Sequence, residues 1–216
     1  MQEKTSHLEC VDCGLQPYAE CLARQKDLVE QRRNHAIPNT VLLVEHPTVI
    51  TLGARQSANK LLTSEQTLEA QGIDVVPIRR GGGTTAHNPG QIVFYPILDL
   101  RELILGINDY VRILESVGID LLATLDVLAQ RKQGFPGLWV SPKKIASIGV
   151  RVTRQITFHG MAINIQNDLA VFNHFVPCGL DGVDMTSATQ ETGQTYDMSV
   201  VKQTLKSLLE KALARP

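Results

Sequence analysis

Three features of this 216-residue chain have residue types that could do chemistry: one cysteine, one lysine and a glycine-rich run ending near a histidine. Cys178 stands between Pro177 and Gly179. Proline fixes the backbone entering it, and glycine leaves the next N–H uncovered, so the triplet can expose a sulfur beside a donor for a developing oxyanion. A thiol of pKa ~8.5 is only a few per cent thiolate at neutral pH, so a nucleophilic cysteine needs a base or a cation beside it. Among the six histidines, His87 and His159 lie in the two most glycine-marked segments. Lys144 competes with them. A partly buried lysine can serve as a base, and a charged one at ~4 Å favours a thiolate by roughly 4 kcal/mol at an effective dielectric of ~20. The bland alternatives are a buried structural thiol and a solvated turn lysine, and the residues alone leave the choice of base open.

Residues 79–91 read RRGGGTTAHNPGQ and lie between two apolar, β-branched runs at 73–78 and 92–98, which predicts a loop joining two strands. Gly81, Gly82 and Gly83 allow a ligand to approach main-chain N–H groups without meeting a Cβ. Gly81, Gly83 and Ala86 satisfy G-x-G-x-x-A, but His87, Asn88, Pro89 and Gly90 follow instead of a helix, so a dinucleotide fingerprint is excluded. No G-x-x-x-x-G-K-[ST] is present. Further along, if Ile145 and Ile148 are buried, Ala146, Ser147 and Gly149 make a small-residue floor next to Lys144.

The elements that must position these residues follow from spacing. An amphipathic helix is predicted over residues 17–34, with Pro17 at its start, and short strands over 41–45 and 48–52. His46, at the break between those strands, reads as a polar residue and not as a ligand. Thr63 and Gln66 form a capping-box pattern for a helix over 64–71 that stops at Gly72. Asn108 is placed to cap a helix carrying Tyr110, Leu114, Val117, Leu121, Leu125 and Leu128. Residues 138–152 read as a hairpin with Pro142 in its turn, 156–165 as a further strand, and Asp197 as the cap of a last helix. Many strands are joined by loops too short for βαβ crossovers, which predicts an α+β fold built on a mixed sheet, with residues 1–216 as a single domain.

A formal net charge of -1 argues against nucleic acid as a partner, although Arg151 and Arg154 could meet an acidic one. The start MQEKTSHLEC is unlike a secretory signal, and no apolar run approaches the ~18 residues of a membrane span, so a cytoplasmic protein with no membrane partner is expected. Its four cysteines are then reduced. Cys10 and Cys13 form C-x-x-C without a second pair, which does not support a zinc site.

The segments RRGGGTTAHNPGQIVFYPILDL, KKIASIGVRVTRQITFHGMAINI, FNHFVPCGLDGVDMTS and LLVEHPTVITLG resemble those of the lipoyl(octanoyl) transferases in content and order, across most of residues 15–190. The resemblance implies a fold like the catalytic domains of biotin and lipoate protein ligases, a mixed sheet flanked by helices. It implies transfer of an octanoyl or lipoyl group from acyl carrier protein to the acceptor lysine of lipoyl domains, in 2-oxoacid dehydrogenase complexes and glycine cleavage H protein. Cys178 would carry the acyl group as a thioester, and Lys144 would be general acid and base. Arg80, Gly81, Gly82, Gly83, Thr84, Thr85, Ala86 and His87, with Ser147, Ile148, Gly149, Gly160, Met161 and Ala162, would line the acyl site, and His159 is a secondary candidate. Ala86 and Asn88 depart from the aromatic and the glycine common in that family. No cofactor or metal is implied, since a thioester is already activated, and this agrees with the missing phosphate motifs. Burying seven alkyl carbons at ~0.8 kcal/mol each contributes roughly 5 to 6 kcal/mol of anchoring. One methylene is worth only ~1 to 3 kcal/mol, so chain length must be read at the slot's closed end. The rival readings are an ATP-dependent lipoate or biotin ligase, which does not need Cys178, and a non-catalytic acyl-binding module.

Overall fold

The computed structural model describes residues 8–213, the side chain of Cys178 excepted. Strand β1 (Leu8–Leu15), helix α1 (Tyr18–Arg33), strands β2 (Asn39–Glu45) and β3 (Val49–Leu52), helix α2 (Glu65–Ala70) and strands β4 (Asp74–Pro77), β5 (Thr85–His87) and β6 (Gln91–Ile97) make the first half. Helix α3 (Ile107–Ala123), strands β7 (Gln130–Lys132), β8 (Phe135–Val140), β9 (Lys143–Thr153) and β10 (Ile156–Asn164), and helices α4 (Ala188–Thr192) and α5 (Met198–Leu213) follow. The fold is α+β, as expected, but the strands form two mixed sheets instead of one. A seven-stranded sheet has the order β1-β2-β6-β10-β9-β8-β7, and a three-stranded one the order β4-β3-β5. Each has one parallel pair, β1 with β2 and β3 with β4.

Alternation along the central strands separates the two faces of the large sheet. Val41, Leu43, Ile92, Phe94, Met161 and Ile163 point to one face, where α3 supplies Tyr110, Leu114 and Leu121 and α5 supplies Val201, Leu205 and Leu209. Leu42, Val44, Val93, Tyr95 and Ala162 point to the other, against Cys21 and Val29 of α1. Each fully buried aliphatic side chain contributes about 1.5 to 3 kcal/mol, so the first face alone is a large share of the core.

Several local expectations are corrected. The glycine-rich segment is not one open loop, because residues Thr85–His87 pair with β3 as β5. Ser64, not Thr63, caps α2: the Ser64 Oγ accepts from the Thr67 N–H at 3.2 Å, while the Thr63 hydroxyl is engaged with the His174 Nδ1 at 3.0 Å. Helix α3 starts after Gly106, which places Asn108 inside its first turn, and it ends at Ala123, so Leu125 and Leu128 lie beyond it. Strands β1 and β7 had no counterpart in the sequence pattern. No helix among the described residues is long and apolar enough to cross a membrane.

Candidate active site

A β-bulge sets the direction of Lys144. Leu138 pairs with Ala146 but Trp139 pairs with Lys144, so Ile145 is an extra residue on β9. Ile145 and Ala146 both enter the apolar core against α3 and α5, which turns Lys144 and Ser147 together to the opposite face. Ala146 is therefore core and not floor, a correction to the small-residue reading. Lys144 is 2% exposed, and its Nζ lies 5.4 Å from the centre of the Trp139 ring. Gly137 makes room for it: at φ 109° a Cβ there would stand 3.0 Å from the Lys144 Cε and 2.3 Å from the Ala146 carbonyl oxygen. The Lys144 N–H donates to the Asp184 carbonyl and the Thr186 N–H donates to the Lys144 carbonyl, both at 2.9 Å.

Those two bonds tie β9 to the segment that carries the cysteine. Cys178 occupies the 3₁₀ turn Pro177–Gly179, and its side chain lies outside the described residues. Gly179, at φ 70°, sits so close to Ala58 that a Cβ would come within 2.7 Å of its Cα. The Val176 N–H donates to the Lys60 carbonyl at 2.9 Å, and the Lys60 ammonium pairs with Asp181. The turn is thus held by residues 58–62 on one side, and six residues after Cys178 the chain is paired with Lys144. An open depression of about 700 Å³ is bordered by Val176, Pro177 and Leu180 and also by Lys143, Asp184 and Met185.

A narrower pocket, with a cavity volume of about 30 Å³, lies between the glycine-rich segment and the large sheet. Of the residues singled out from sequence, Arg80, Gly82, Thr85, His87, Ser147, Ile148, Gly149, His159, Gly160, Met161 and Ala162 line it. Gly81, Gly83, Thr84 and Ala86 do not. The Gly81 N–H bonds the Val150 carbonyl at 3.1 Å, Gly83 packs on Ala58, and the Thr84 hydroxyl donates to the Asn59 Oδ1 at 3.3 Å. Ala86 belongs to a separate apolar cluster with Ile50, Phe172 and Phe175. Its neighbour Asn88 holds the 167–168 turn, donating to the Asp168 carbonyl at 2.7 Å and accepting from the Asn167 side chain at 2.9 Å. Tyr18, Val93 and Tyr95 also line the pocket and were missed. The available signal was the alternation of β6, which places Val93 and Tyr95 on the face opposite Ile92 and Phe94.

Arg80 crosses β9 above Gly149, where a Cβ would stand 2.8 Å from the Arg80 Cδ. Its guanidinium donates to the Thr51 carbonyl and hydroxyl at 3.1 and 2.8 Å and to the Gly81 carbonyl at 3.0 Å. Around it the polar groups are neutral. Burial holds His87 down to about 3, with help from neighbouring His46, and holds His46 down to about 4. The His46 Nδ1 must donate to the Gln16 carbonyl, 2.7 Å away, so its Nε2 accepts from the Tyr95 hydroxyl at 2.9 Å. His46 is thus the polar residue expected at the break between β2 and β3, and it is buried there as a prop for a pocket-lining tyrosine. Tyr18 stacks on His87 with 5.8 Å between ring centres.

His159 is strained, with φ 54° inside a strand. Its N–H donates to the buried Gln25 Oε1 at 2.9 Å, and its Nδ1, buried, has no hydrogen-bond partner among the described residues. Burial and then Arg80 push its pKa down to about 3. The other cysteines are poor nucleophiles: burial raises the thiols of Cys10 and Cys21 to about 11 and about 12, and that of Cys13 in the same direction. Among the described residues no group of three or more His, Cys, Asp or Glu side chains is placed to hold a metal ion.

The family model described as the lipoyl protein ligase A/B catalytic domain matches residues 17–210. An octanoyltransferase of Desulfovibrio desulfuricans is 41% identical over 192 residues, which cover 88% of this chain and 81% of that one. An octanoyltransferase of Syntrophobacter fumaroxidans is 40% identical over 205 residues, covering 95% and 90%. Among solved structures, a lipoate-protein ligase A bound with ATP superposes with a TM-score of 0.71 at 14% identity, covering 97% of this chain and 85% of that one. A bipartite lipoate protein ligase of Thermoplasma acidophilum, studied with its E2 lipoyl domain, gives 0.71 at 13%, covering 97% and 84%. At such identities these ligases speak for the fold alone.

Proposed function

We propose, from the premise that this chain belongs to the lipoyl protein ligase A/B catalytic-domain family, that it is an octanoyltransferase of protein lipoylation working through Cys178 and Lys144. The observation that carries this reading is the bulge on β9, which buries Lys144 on the face where Ser147 and Gly149 line the pocket. Relatives about 40% identical over most of the chain are octanoyltransferases, which favours transfer over the ATP-dependent ligation of the more distant structural neighbours.

In this reading the Cys178 thiolate attacks the carbonyl of an octanoyl group held as a thioester on acyl carrier protein. The carrier C–S bond breaks and the carrier thiol leaves with a proton handed over from Lys144. The acyl tail lies in the slot beneath the glycine-rich segment, where neutral His87 and the Tyr18 and Tyr95 rings close one wall. The acceptor lysine of a lipoyl domain then attacks the enzyme thioester. A C–N bond forms, the bond to the Cys178 sulfur breaks, and Lys144 takes the proton released by the amine. The lipoyl domains of 2-oxoacid dehydrogenase complexes and the glycine cleavage H protein are the acceptors, residues 1–216 act as one catalytic domain, and the setting is the cytoplasm.

Intact mass after mixing with octanoyl carrier protein, without ATP, tests the first half. A thiol-labile octanoyl adduct is expected on the wild type and absent from Cys178→Ser. Equal labelling of Cys178→Ser would remove Cys178 as the acyl carrier, and labelling only with free octanoate and ATP would establish ligation instead.

A further inference from the structure

Polar groups buried between apolar strands are costly unless fully satisfied, so a continuous buried chain of them calls for a reason. One such chain starts in the pocket and ends on the backbone of Lys144. The His87 Nδ1 is 2.7 Å from the Gln91 Oε1, the Gln91 Nε2 is 2.8 Å from the Asn164 Oδ1, and the Asn164 Nδ2 is 2.9 Å from the Thr186 carbonyl oxygen. Thr186 then donates its N–H to the Lys144 carbonyl. Gln91 and Asn164 face each other directly across the β6–β10 pair, and both are almost fully buried.

The direction of every bond is determined by chemistry. The Thr186 carbonyl can only accept, so the Asn164 amide nitrogen faces it and the Asn164 Oδ1 faces Gln91. Gln91 must then present its nitrogen, which also donates to the Ala86 carbonyl at 3.2 Å, and its Oε1 is left to accept from the His87 Nδ1–H. Neither amide can rotate without setting two donors or two acceptors against each other. The 184–186 segment, whose two backbone bonds hold Lys144, is thereby locked to the centre of the large sheet.

We infer that Gln91 and Asn164 are positioning residues for Lys144, acting through the 184–186 segment and coupling it to the pocket at His87. The inference rests on the reading of Lys144 as the proton-transfer group. Removing the Asn164 amide frees the Thr186 carbonyl and lets the segment and Lys144 shift, and a displacement of about 1 Å at a reacting group costs on the order of 100-fold.

The test is single-turnover transfer of octanoyl from preloaded enzyme to a purified lipoyl domain, with melting temperature recorded for each variant. Asn164→Ala is expected to slow transfer at saturating lipoyl domain roughly 10- to 100-fold, with the half-saturating lipoyl-domain concentration unchanged. In the Lys144→Ala background the same substitution is expected to change the rate less than about 2-fold, because residues that act as a unit are not additive. Gln91→Met, which keeps the shape and loses both ends of the relay, supplies the same cycle if Asn164→Ala does not fold. A slow Lys144→Ala whose rate falls again by the full factor on adding either substitution would overturn the positioning role and leave the Lys144 reading standing. Transfer by Lys144→Ala at the wild-type rate would overturn both.

Discussion

The two faces of the seven-stranded sheet are built from the same strands and are different materials. Under α3 and α5 the lining is aliphatic and aromatic, with Leu, Ile, Val and Phe side chains in contact and little polar. Under α1 and the glycine-rich segment the same strands bury His46, His87, Tyr95, His159, Gln25 and Arg80. Each of those groups costs several kcal/mol to desolvate unless it is bonded; bonds to Gln16, Gln91 and Thr51 offset that cost for His46, His87 and Arg80, whereas the His159 Nδ1 has no partner among the described residues. One face supplies cohesion; the other spends part of it to keep a shaped, neutral slot.

The sharpest break of that contrast sets Lys144 against Leu114. Lys144→Ala is expected to lower the rate by roughly 100- to 10,000-fold, the range for loss of a general acid–base group, with little change in melting temperature. Leu114→Ala, in the aliphatic face, is expected to cost about 2 to 5 kcal/mol in denaturant unfolding while the folded fraction keeps its specific activity. If the leucine variant lost activity per folded molecule as severely, the division between the faces would not hold.

Acid should expose the polar face first. His46, His87 and His159 are held neutral in the fold, at about 4, about 3 and about 3, whereas an unfolded histidine titrates near ~6.5. Below that value the unfolded chain binds more protons than the native one, so stability is complete above pH ~6.5 and falls as pH drops toward the folded values. Each group therefore lowers stability as pH falls across that window. Melting temperature measured from pH 7 to 4 should fall, and His87→Asn should make that fall shallower; an unchanged slope would mean that His87 does not titrate on unfolding.

Smaller effects refine the picture. Gly149→Ala puts a methyl 2.8 Å from the Arg80 Cδ, so the arginine must shift over the pocket. A loss of about 1 to 3 kcal/mol in kcat/KM is expected, with a changed preference between hexanoyl, octanoyl and decanoyl donors, read by competition assay. Asp181→Asn breaks an exposed pair with Lys60 and should change stability by only ~0.2 to 1 kcal/mol, less at high salt.

Much of this was legible in residue spacing. Helices α1 and α2 and strands β2, β3 and β6 fall within a residue or two of expectation, because each has its own period, stop or cap. Strand β7, Gln130–Lys132, is polar and exposed, and it is a strand only because β8 offers a backbone to pair with. Strand β1 sits at an edge beside β2 and includes Glu9 and Asp12, so no alternation marked it. Tyr18 reads as an ordinary helix residue until the fold stacks it on His87.

By itself the chain's order of residue types determined where the glycines permit close approach, which runs are apolar and β-branched enough to form strands, and which cysteine stands between proline and glycine. Those are local matters of sterics and periodicity. The direction of Lys144, the neutrality of the histidines and the relay from Gln91 to Thr186 were decided only in three dimensions. Each depends on partners far apart in sequence, and neither burial nor a hydrogen bond to a distant segment leaves a period in the residues that make it.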